Sequence, residues 1–323
     1  MLRYILYGRQ VQSNRAIADL LPSPAHHDQI DIELVFAARP DWQDNWTEAA
    51  PWRTSRRQQL QVWRSPHPDR PQRFWWRYQD GCSFWIEHSS PTRIWLTWPH
   101  NLTPEDAITY LLGPVLAFVV RLDGQVSLHA SGVAFSQGAV LFLGPAGAGK
   151  STTAALLARQ GCPVLTDDVV VLHPQEESGF TVSPGYPRLR LWPRSAELLY
   201  GDRQALPRLV PSHPTWDKQY LDLRQPGLDF AQHPLPLVQI YCLGRRSPTG
   251  PSRITDLSSQ AAWRQLIANT SVNYLLDRQL RQQEFAVMGR LVQQVACSNL
   301  AVTQEPRQWA QLQPQLSRHI SQG

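Results

Sequence analysis

Aromatic and aliphatic residues alternate with polar ones in three short runs near the N-terminus, at 73–78, 83–87 and 93–98. Turn-forming residues separate the runs, and a period of two between turns is typical of a strand meander. The pattern predicts a small β-rich domain over residues 1–104.

Tryptophan is concentrated in this predicted domain, where nine of the 13 tryptophans lie between Trp42 and Trp98. In the polar stretch 40–71 they interleave with arginine, a combination that can stack on nucleic-acid bases. Rings at strand spacing favour the alternative, the aromatic core of a β-domain.

From residue 103 the pattern changes to longer apolar runs with helical and strand periods. The predicted elements are helix 103–112 with a continuation at 115–121, strands 126–135 and 139–143, helix 151–160, strands 163–166, 169–172 and 237–243, and helices 258–269 and 271–295. Pro-rich connections are predicted for much of 184–236. An α/β domain over 105–323 is therefore expected. Its sheet should be mixed, because the first two strands read as a hairpin.

Composition narrows the classes of protein to consider. The 323 residues are 42% hydrophobic, which is enough for two packed domains. No apolar run of about 18 residues occurs and the N-terminus does not read as a signal peptide, so we expect a cytoplasmic protein with no membrane partner. The four cysteines form no C-x-x-C pair, which gives no indication of a zinc or redox site. The net charge of +5 comes from dispersed residues, so no specific nucleic-acid partner is expected.

The stretch Gly144–Ser151 matches the phosphate-binding pattern G-x-x-x-x-G-K-[ST] between a predicted strand and a predicted helix. Glycines let backbone amides turn toward phosphate oxygens, and the positive end of the helix faces the same anion. Lys150 then neutralises the β- and γ-phosphates, and the Ser151 hydroxyl is placed to ligate Mg²⁺. The cofactors predicted are ATP and Mg²⁺. The predicted cofactor-binding residues are Gly144, Pro145, Ala146, Gly147, Ala148, Gly149, Lys150, Ser151 and Thr152.

An acid pair, Asp167 and Asp168, ends a predicted strand 17 and 18 residues after Lys150. A crossover of that length places a neighbouring strand end beside the phosphate loop. One carboxylate could hold Mg²⁺, and the other could accept the proton of an attacking hydroxyl. The alternative is one metal-binding acid followed by a structural acid, as in an ATPase or a nucleotide-dependent switch.

Lys218 is the only lysine besides Lys150 among 31 basic residues. It lies in the stretch 214–220, between Pro-rich segments, where a surface loop is expected. A compact ammonium can follow a moving phosphoryl group where a rigid guanidinium fork would be misaligned. The hypothesis is that Lys218 is catalytic and meets the γ-phosphate during transfer. The alternative is an ordinary surface lysine.

Residues 128–133, 140–151 and 164–168 together resemble the catalytic domain of HPr kinase/phosphorylase, in sequence and in spacing. The resemblance implies a kinase that phosphorylates a serine of a protein or peptide. It also implies that Asp167 is the general base, that Asp168 is its acidic neighbour near the metal, and that His129 is a catalytic residue beside the base. Without the resemblance, a single strand histidine is more often structural. The chain looks most like the HPr-kinase-related proteins of modified-peptide pathways, where the substrate can be a precursor peptide.

The chain also departs from that family. The family's Glu ahead of an Ile-Arg-Gly-Leu-Gly-like stretch is missing from the corresponding region 183–192, which puts phosphorylase activity and HPr as the acceptor in doubt. ATP-type phosphoenolpyruvate carboxykinases share a P-loop and acid pair on a related fold. The predicted fold is therefore a P-loop kinase of the HPr kinase and phosphoenolpyruvate carboxykinase type, preceded by a β-rich domain for acceptor recognition or partner binding. A small-molecule kinase, a non-catalytic nucleotide-gated scaffold and a homo-oligomer stay open.

Overall fold

The computed structural model of the chain describes residues 1–23, 29–42, 46, 50–55, 59–65, 71–176, 179–213, 216–247 and 249–322. The chain divides into two compact units. The sheet unit comprises Met1–Asp123, Leu209–Asp217 and Val272–Leu276, and the α/β unit comprises Gly124–Arg208, Lys218–Ser271 and Asp277–Gly323. Parts of the predicted stretches 40–71 and 214–220, including Pro214 and Thr215, lie outside the described residues.

The sheet unit is built on one eight-stranded sheet. Its strands are β1 Leu2–Leu6, β2 Arg9–Ser13, β3 Ile32–Phe36, β4 Arg53–Thr54, β5 Leu60–Arg64, β6 Gln72–Tyr78, β7 Ser83–His88 and β8 Thr92–Thr97. They lie in the order β1-β2-β3-β8-β7-β6-β5-β4. The three runs predicted as a meander are β6, β7 and β8, which pair antiparallel. Strand β3 pairs parallel with both β2 and β8.

Indole rings pack on this sheet and are largely buried. Trp63, Trp75 and Trp85 are 6%, 8% and 4% exposed. The rings of Trp63 and Trp75 stack with their centroids 4.4 Å apart, and the Arg77 guanidinium covers both. Because other rings and arginine cover these faces, the structure favours the aromatic-core interpretation over a base-stacking platform for these three tryptophans.

Helices α1 (Pro104–Tyr110) and α2 (Leu116–Leu122) belong to the sheet unit and are joined by a π-helical turn. The Thr103 amide donates a hydrogen bond to the Asp106 carboxylate over 2.8 Å, which caps α1. Phe118 of α2 packs on the sheet, with its ring centroid 5.0 Å from that of Phe74. The compact unit therefore extends to Asp123, whereas the predicted boundary after residue 104 places both helices in the second domain.

The α/β unit contains a nine-stranded mixed sheet and a separate two-stranded sheet. The large sheet consists of β9 Val126–Leu128, β10 Ser131–Phe135, β11 Gly138–Leu143, β12 Val164–Asp167, β13 Val170–Pro174, β14 Phe180–Val182, β17 Leu235–Leu243, β18 Arg253–Asp256 and β19 Ala296–Ala301. The small sheet pairs β15 Arg188–Leu191 with β16 Gln219–Asp222. The α-helices are α3 Lys150–Ala158, α4 Pro193–Tyr200, α5 Ser259–Ala268, α6 Arg278–Gln294 and α7 Leu312–Gln322.

The order of strands in the large sheet brings the C-terminal ends of β11 and β12 to one edge of the sheet. Strands β10 and β11 form the predicted antiparallel hairpin, and β11 runs parallel to β17, so the sheet is mixed as predicted. On the other side of β10, strand β12 pairs antiparallel with it, and Ser131 lies opposite Asp167. Two antiparallel steps restore the strand direction, so β11 and β12 end at the same edge.

Both faces of β11 are buried, which fixes the strand that leads into the phosphate loop. Val140 and Phe142 pack in one cluster with residues of α3 such as Leu157. Leu141 packs on the opposite face in a cluster that includes Met288 of α6. The loop at the end of β11 therefore starts from a rigid base.

Three predicted elements differ from the structure. The predicted strand 126–135 is interrupted at His129 and Ala130, where the His129 amide donates to the Asn269 carbonyl over 2.7 Å. The predicted helix 271–295 begins only at Arg278, after a capping Asp277. The region 184–236, predicted as connections, contains β15, α4 and β16. Among the helices of the described residues, none combines the length and the apolar character that a membrane crossing requires.

Candidate functional site

The sequence-predicted phosphate loop is a tight turn between β11 and α3. Gly144, Gly147 and Gly149 adopt φ values of 150°, 81° and 101°, which side chains other than glycine rarely tolerate. A Cβ atom on Gly144 would also lie 3.0 Å from the Ala148 Cβ atom. The glycines of the motif are therefore required by the backbone of the loop, which ends at the positive N-terminus of α3.

Lys150 begins α3 and folds back over this loop. Its ammonium donates hydrogen bonds to the carbonyls of Gly144 and Pro145 over 2.8 and 3.2 Å. Burial lowers the pKa of Lys150, and the Lys218 charge adds to this, against the opposing effect of Asp167 and Asp168. The ammonium is thus held at the loop with little water around it, which strengthens its attraction for an anion.

Asp167, at the end of β12, accepts hydrogen bonds on both carboxylate oxygens. Ser131 and Ser151 donate to Oδ1 over 2.6 and 2.8 Å, and the Arg190 amide donates to Oδ2 over 2.8 Å. The residue is only 2% exposed. The partner of the Ser151 hydroxyl is thus Asp167, whereas the sequence prediction pairs Ser151 with Asp168 around the metal.

Asp168 follows in a left-handed backbone conformation, with φ of 71°. Such strain in a residue other than glycine is often found at functional sites. Its Oδ1 lies 3.2 Å from His129 Nδ1, and its Oδ2 accepts from the Arg190 guanidinium over 2.9 Å. Burial alone would raise the pKa of Asp168, but the hydrogen bond from His129 and the charges of Arg190 and Lys218 hold it well below its usual range.

His129 therefore lies beside the acid pair, in the interruption between β9 and β10. Its Nδ1 is also 2.9 Å from the Asp168 carbonyl oxygen. The topology accounts for this position, because β10 lies between β11 and β12 and begins at the edge where they end. The structure brings His129 and Asp168 into contact, while its catalytic role stays a prediction.

The small sheet supplies site residues that the sequence prediction missed. Pairing of Leu191 with Gln219 leaves Trp192 and Lys218 side by side just beyond the paired ends. The Lys218 ammonium lies 5.6 Å from the centroid of the Trp192 ring, which is 45% exposed. Lys218 thus lies at the site, as hypothesised, although its part in transfer is untested. The sequence feature that could have indicated Arg190 and Trp192 is the Arg-Leu-Arg-Leu alternation at 188–191, which is typical of a strand.

One cavity of about 720 Å³, a size typical of small-molecule sites, collects these groups. Of the predicted site residues, all except Gly144, Pro145 and Ala148 line it. The further lining residues are Arg190, Trp192, Arg194, Ser195, Leu198, Arg246 and Gln304.

The charges of this cavity favour an anionic ligand. Five basic side chains, those of Lys150, Arg190, Arg194, Lys218 and Arg246, face two carboxylates, Asp167 and Asp168. An excess of three positive charges remains when His129 is neutral. A polyphosphate would balance this excess.

The donor set near the loop also fits Mg²⁺. Ser151 and Asp167 offer a hydroxyl and a carboxylate, and Mg²⁺ is usually held by one or two carboxylates together with the phosphates of a substrate. Within the part of the chain that the structure describes, no group of three or more His, Cys, Asp or Glu side chains forms a dedicated metal cage. These residues therefore suit a Mg²⁺ ion that is shared with a nucleotide.

Comparison with known proteins finds likenesses among solved structures only. No protein-family model and no curated protein matches the chain. Among solved structures, the chain is similar to an HPr(Ser) kinase/phosphatase from Coxiella burnetii, with 15% identity over 61% of this chain and 99% of that one, and a TM-score of 0.32. At this score and identity the likeness does not define a function, which has to be argued from the site itself.

Proposed function

We propose that this protein is a kinase that transfers the γ-phosphate of ATP to a serine hydroxyl of a peptide or protein. The observation that carries the proposal is the hydrogen bond between Ser151 of the phosphate loop and Asp167 of the acid pair. It joins a phosphate-binding element to carboxylates within one cavity. Phosphoryl transfer needs this combination, because the protein mainly positions the reactants and stabilises charge.

The phosphate loop and Lys150 bind the nucleotide. ATP with Mg²⁺ would supply the phosphoryl group and would neutralise part of its charge. The backbone amides at the start of α3 and the Lys150 ammonium bind the phosphates, and the fixed loop geometry orients them. Because the ammonium is buried, its attraction for the phosphates is stronger than it would be in water.

The contacts of the two carboxylates favour different tasks for them. Asp167 shares Oδ1 with the P-loop hydroxyl of Ser151, so we assign it, with Ser151, to Mg²⁺. Asp168 faces His129 and carries a low pKa, so it is ionised and able to orient the acceptor hydroxyl and take its proton late in the reaction. This division is the reverse of the one that the family resemblance implies.

Serine as the acceptor rests on the resemblance of residues 128–133, 140–151 and 164–168 to the HPr kinases. We further propose that the tryptophan-rich sheet unit recognises the acceptor or binds a partner, since every phosphate-binding motif lies after residue 128. A cytoplasmic location remains an expectation from the sequence.

The proposal is tested with γ-labelled ATP, Mg²⁺ and a degenerate peptide library in which each member carries one serine. A library with alanine at that position is the control. We expect label transfer to the serine library only, and loss of transfer by about 10²–10⁴-fold in Asp168→Asn with ATP affinity retained.

Two results would contradict the proposal. Labelling of small hydroxyl compounds but of no peptide would indicate a small-molecule kinase. Tight binding of MgATP without any acceptor-dependent release of ADP, tested with peptides, proteins and metabolites, would indicate a nucleotide-gated scaffold.

A further inference from the structure

Four of the five basic residues of the cavity form two pairs, and the fifth, Arg190, is bonded to Asp168. Lys150 and Lys218 form the first pair. The charge of Lys218 acts on Lys150 and on Asp168, so this pair is associated with the acids of the cavity. The charge of Arg194 acts on Arg246 instead, and both residues line the cavity. Among the described residues, no carboxylate forms an ion pair with either arginine.

The arginine pair lies against the phosphate loop. A Cβ atom on Gly149 would be 3.0 Å from Arg246 Nη2, so this guanidinium lies over the last residue before α3. Arg194 precedes Ser195, whose hydroxyl is 2.8 Å from the hydroxyl of Thr152. Gly149 and Thr152 bracket Lys150 and Ser151, so Arg246 and the neighbour of Arg194 both contact this flank of the loop, and Arg194 itself lines the same cavity.

This arrangement is unfavourable without an anion. Arg246 is half-buried, and burial together with the neighbouring charge of Arg194 lowers the pKa of Arg246. Two guanidinium groups that repel each other beside the amides of a helix N-terminus are stabilised by a shared phosphate, which Arg binds through a planar fork.

We infer that Arg194 and Arg246 form a second phosphate subsite, which holds the α- and β-phosphates of the nucleotide while Lys150 and Lys218 face the γ-phosphate. The inference rests on the proposed function and extends it. The arginine pair would grip the diphosphate that stays with the nucleoside. It therefore binds ATP and ADP alike, and it contributes to affinity more than to the chemical step.

The test is calorimetric titration of the full chain with MgATP, MgADP and inorganic pyrophosphate at one fixed salt concentration. Arg246→Gln should weaken all three by about tenfold or more, and by nearly equal factors for ATP and ADP. Arg194→Gln should act in the same direction. The matched control is Arg264→Gln, which removes one exposed arginine of α5 outside the cavity and should leave all three affinities unchanged.

Thermal melting separates binding from folding. Because the arginines repel each other in the free protein, Arg246→Gln should not lower the Tm without ligand, and it should reduce the rise in Tm that MgADP produces. A lower Tm without ligand would make Arg246 a structural residue and overturn the inference.

The remaining outcomes are distinct. Unchanged affinities in both variants, or a loss for ATP but not for ADP, would refute the diphosphate subsite while leaving the kinase proposal intact. If the unmodified protein bound pyrophosphate but no nucleotide, the kinase proposal would fail, and loss of pyrophosphate binding in Arg246→Gln would still support the subsite. Binding of none of the three ligands would refute both.

Discussion

The Ser151 hydroxyl donates a hydrogen bond to Asp167 Oδ1 over 2.8 Å, which connects the first turn of α3 to the end of β12. Ser131 donates to the same oxygen over 2.6 Å from the buried strand β10. One carboxylate oxygen thus has one hydroxyl partner on the phosphate loop and one in the core. Substitution of each serine in turn therefore separates a metal-binding role of Asp167 from a structural one.

Asp167→Asn and Ser151→Ala should each lower the affinity for Mg²⁺ in the presence of ATP, by about tenfold or more, because each removes an oxygen ligand or its orientation. Ser131→Ala is the matched control. It should cost about 1 kcal/mol of unfolding free energy and lower the Mg²⁺ affinity less than the other two variants do, because Ser131 orients Asp167 but is not itself a proposed ligand. Titration of activity and of ATP binding against Mg²⁺ gives the comparison. If Asp167→Asn kept its Mg²⁺ affinity and lost only transfer, Asp167 would be the base that the family resemblance implies.

Asp168 should contribute to stability in a pH-dependent way. Its pKa is held well below that of an unfolded aspartate, near 3.9, so its contribution is complete above about pH 5 and is lost as the pH falls toward the folded pKa. Asp168→Asn removes this contribution. The difference in unfolding free energy between wild type and variant, from urea denaturation, should therefore be largest near neutral pH and shrink below about pH 4. A difference that stayed constant on acidification would show that Asp168 is not held ionised by its partners.

Lys218 should act on the transfer step, because its ammonium lies beside Trp192 and its charge helps to lower the pKa of Asp168. Lys218→Ala should lower kcat by roughly 10²-fold or more, with a much smaller change in ATP affinity. Lys218→Arg should also lower kcat, since a planar fork cannot replace a compact charge that follows a moving group. Turnover within about twofold of wild type in both variants would make Lys218 an ordinary surface residue.

Gly149 and Gly161 lie just before and just after α3, and their substitution provides a matched comparison. Both have positive φ, 101° and 86°, but a Cβ on Gly149 would approach Arg246 while a Cβ on Gly161 would meet nothing within 4 Å. Replacement by alanine should cost each about 1–2 kcal/mol of stability through backbone strain. Only Gly149→Ala should also lose nucleotide binding, measured by titration with MgADP. Equal nucleotide affinities in the two variants would contradict the placement of the phosphates against Gly149.

The glycine-rich turn between β11 and α3 could be predicted because its signals are local. A strand, a glycine-rich turn and a helix follow one another within Gly138–Ala158, and the turn chemistry is specific. The hairpin of β10 and β11 is also local, and it correctly indicated a mixed sheet. His129 was expected on a continuous strand, because the interruption that places it beside Asp168 depends on a hydrogen bond to the distant Asn269.

The flank of the cavity could not be predicted in the same way. Strand β15 has four residues, and its partner β16 lies further along the chain, beyond α4, so the pairing that presents Arg190 is not local. The sequence carries signals for helix α4, with Pro193 at its start and Gly201 after its end. The surrounding prolines nevertheless led to a prediction of connecting segments. Arg246 follows β17, and only the parallel pairing of β17 with β11 brings it to the loop.

Lys150→Ala tests the central claim most directly, because Lys150 belongs to the motif, bonds to the loop carbonyls and lines the cavity. The measurement is the rate of acceptor-dependent ADP release at saturating MgATP, for the variant and the wild type, with thermal melting to confirm that both are folded. We expect a loss of roughly 10³-fold or more, since removal of the buried Lys150 ammonium leaves charge on the γ-phosphate uncompensated at the loop. Near-normal transfer by Lys150→Ala would contradict the assignment of this cavity as a kinase active site.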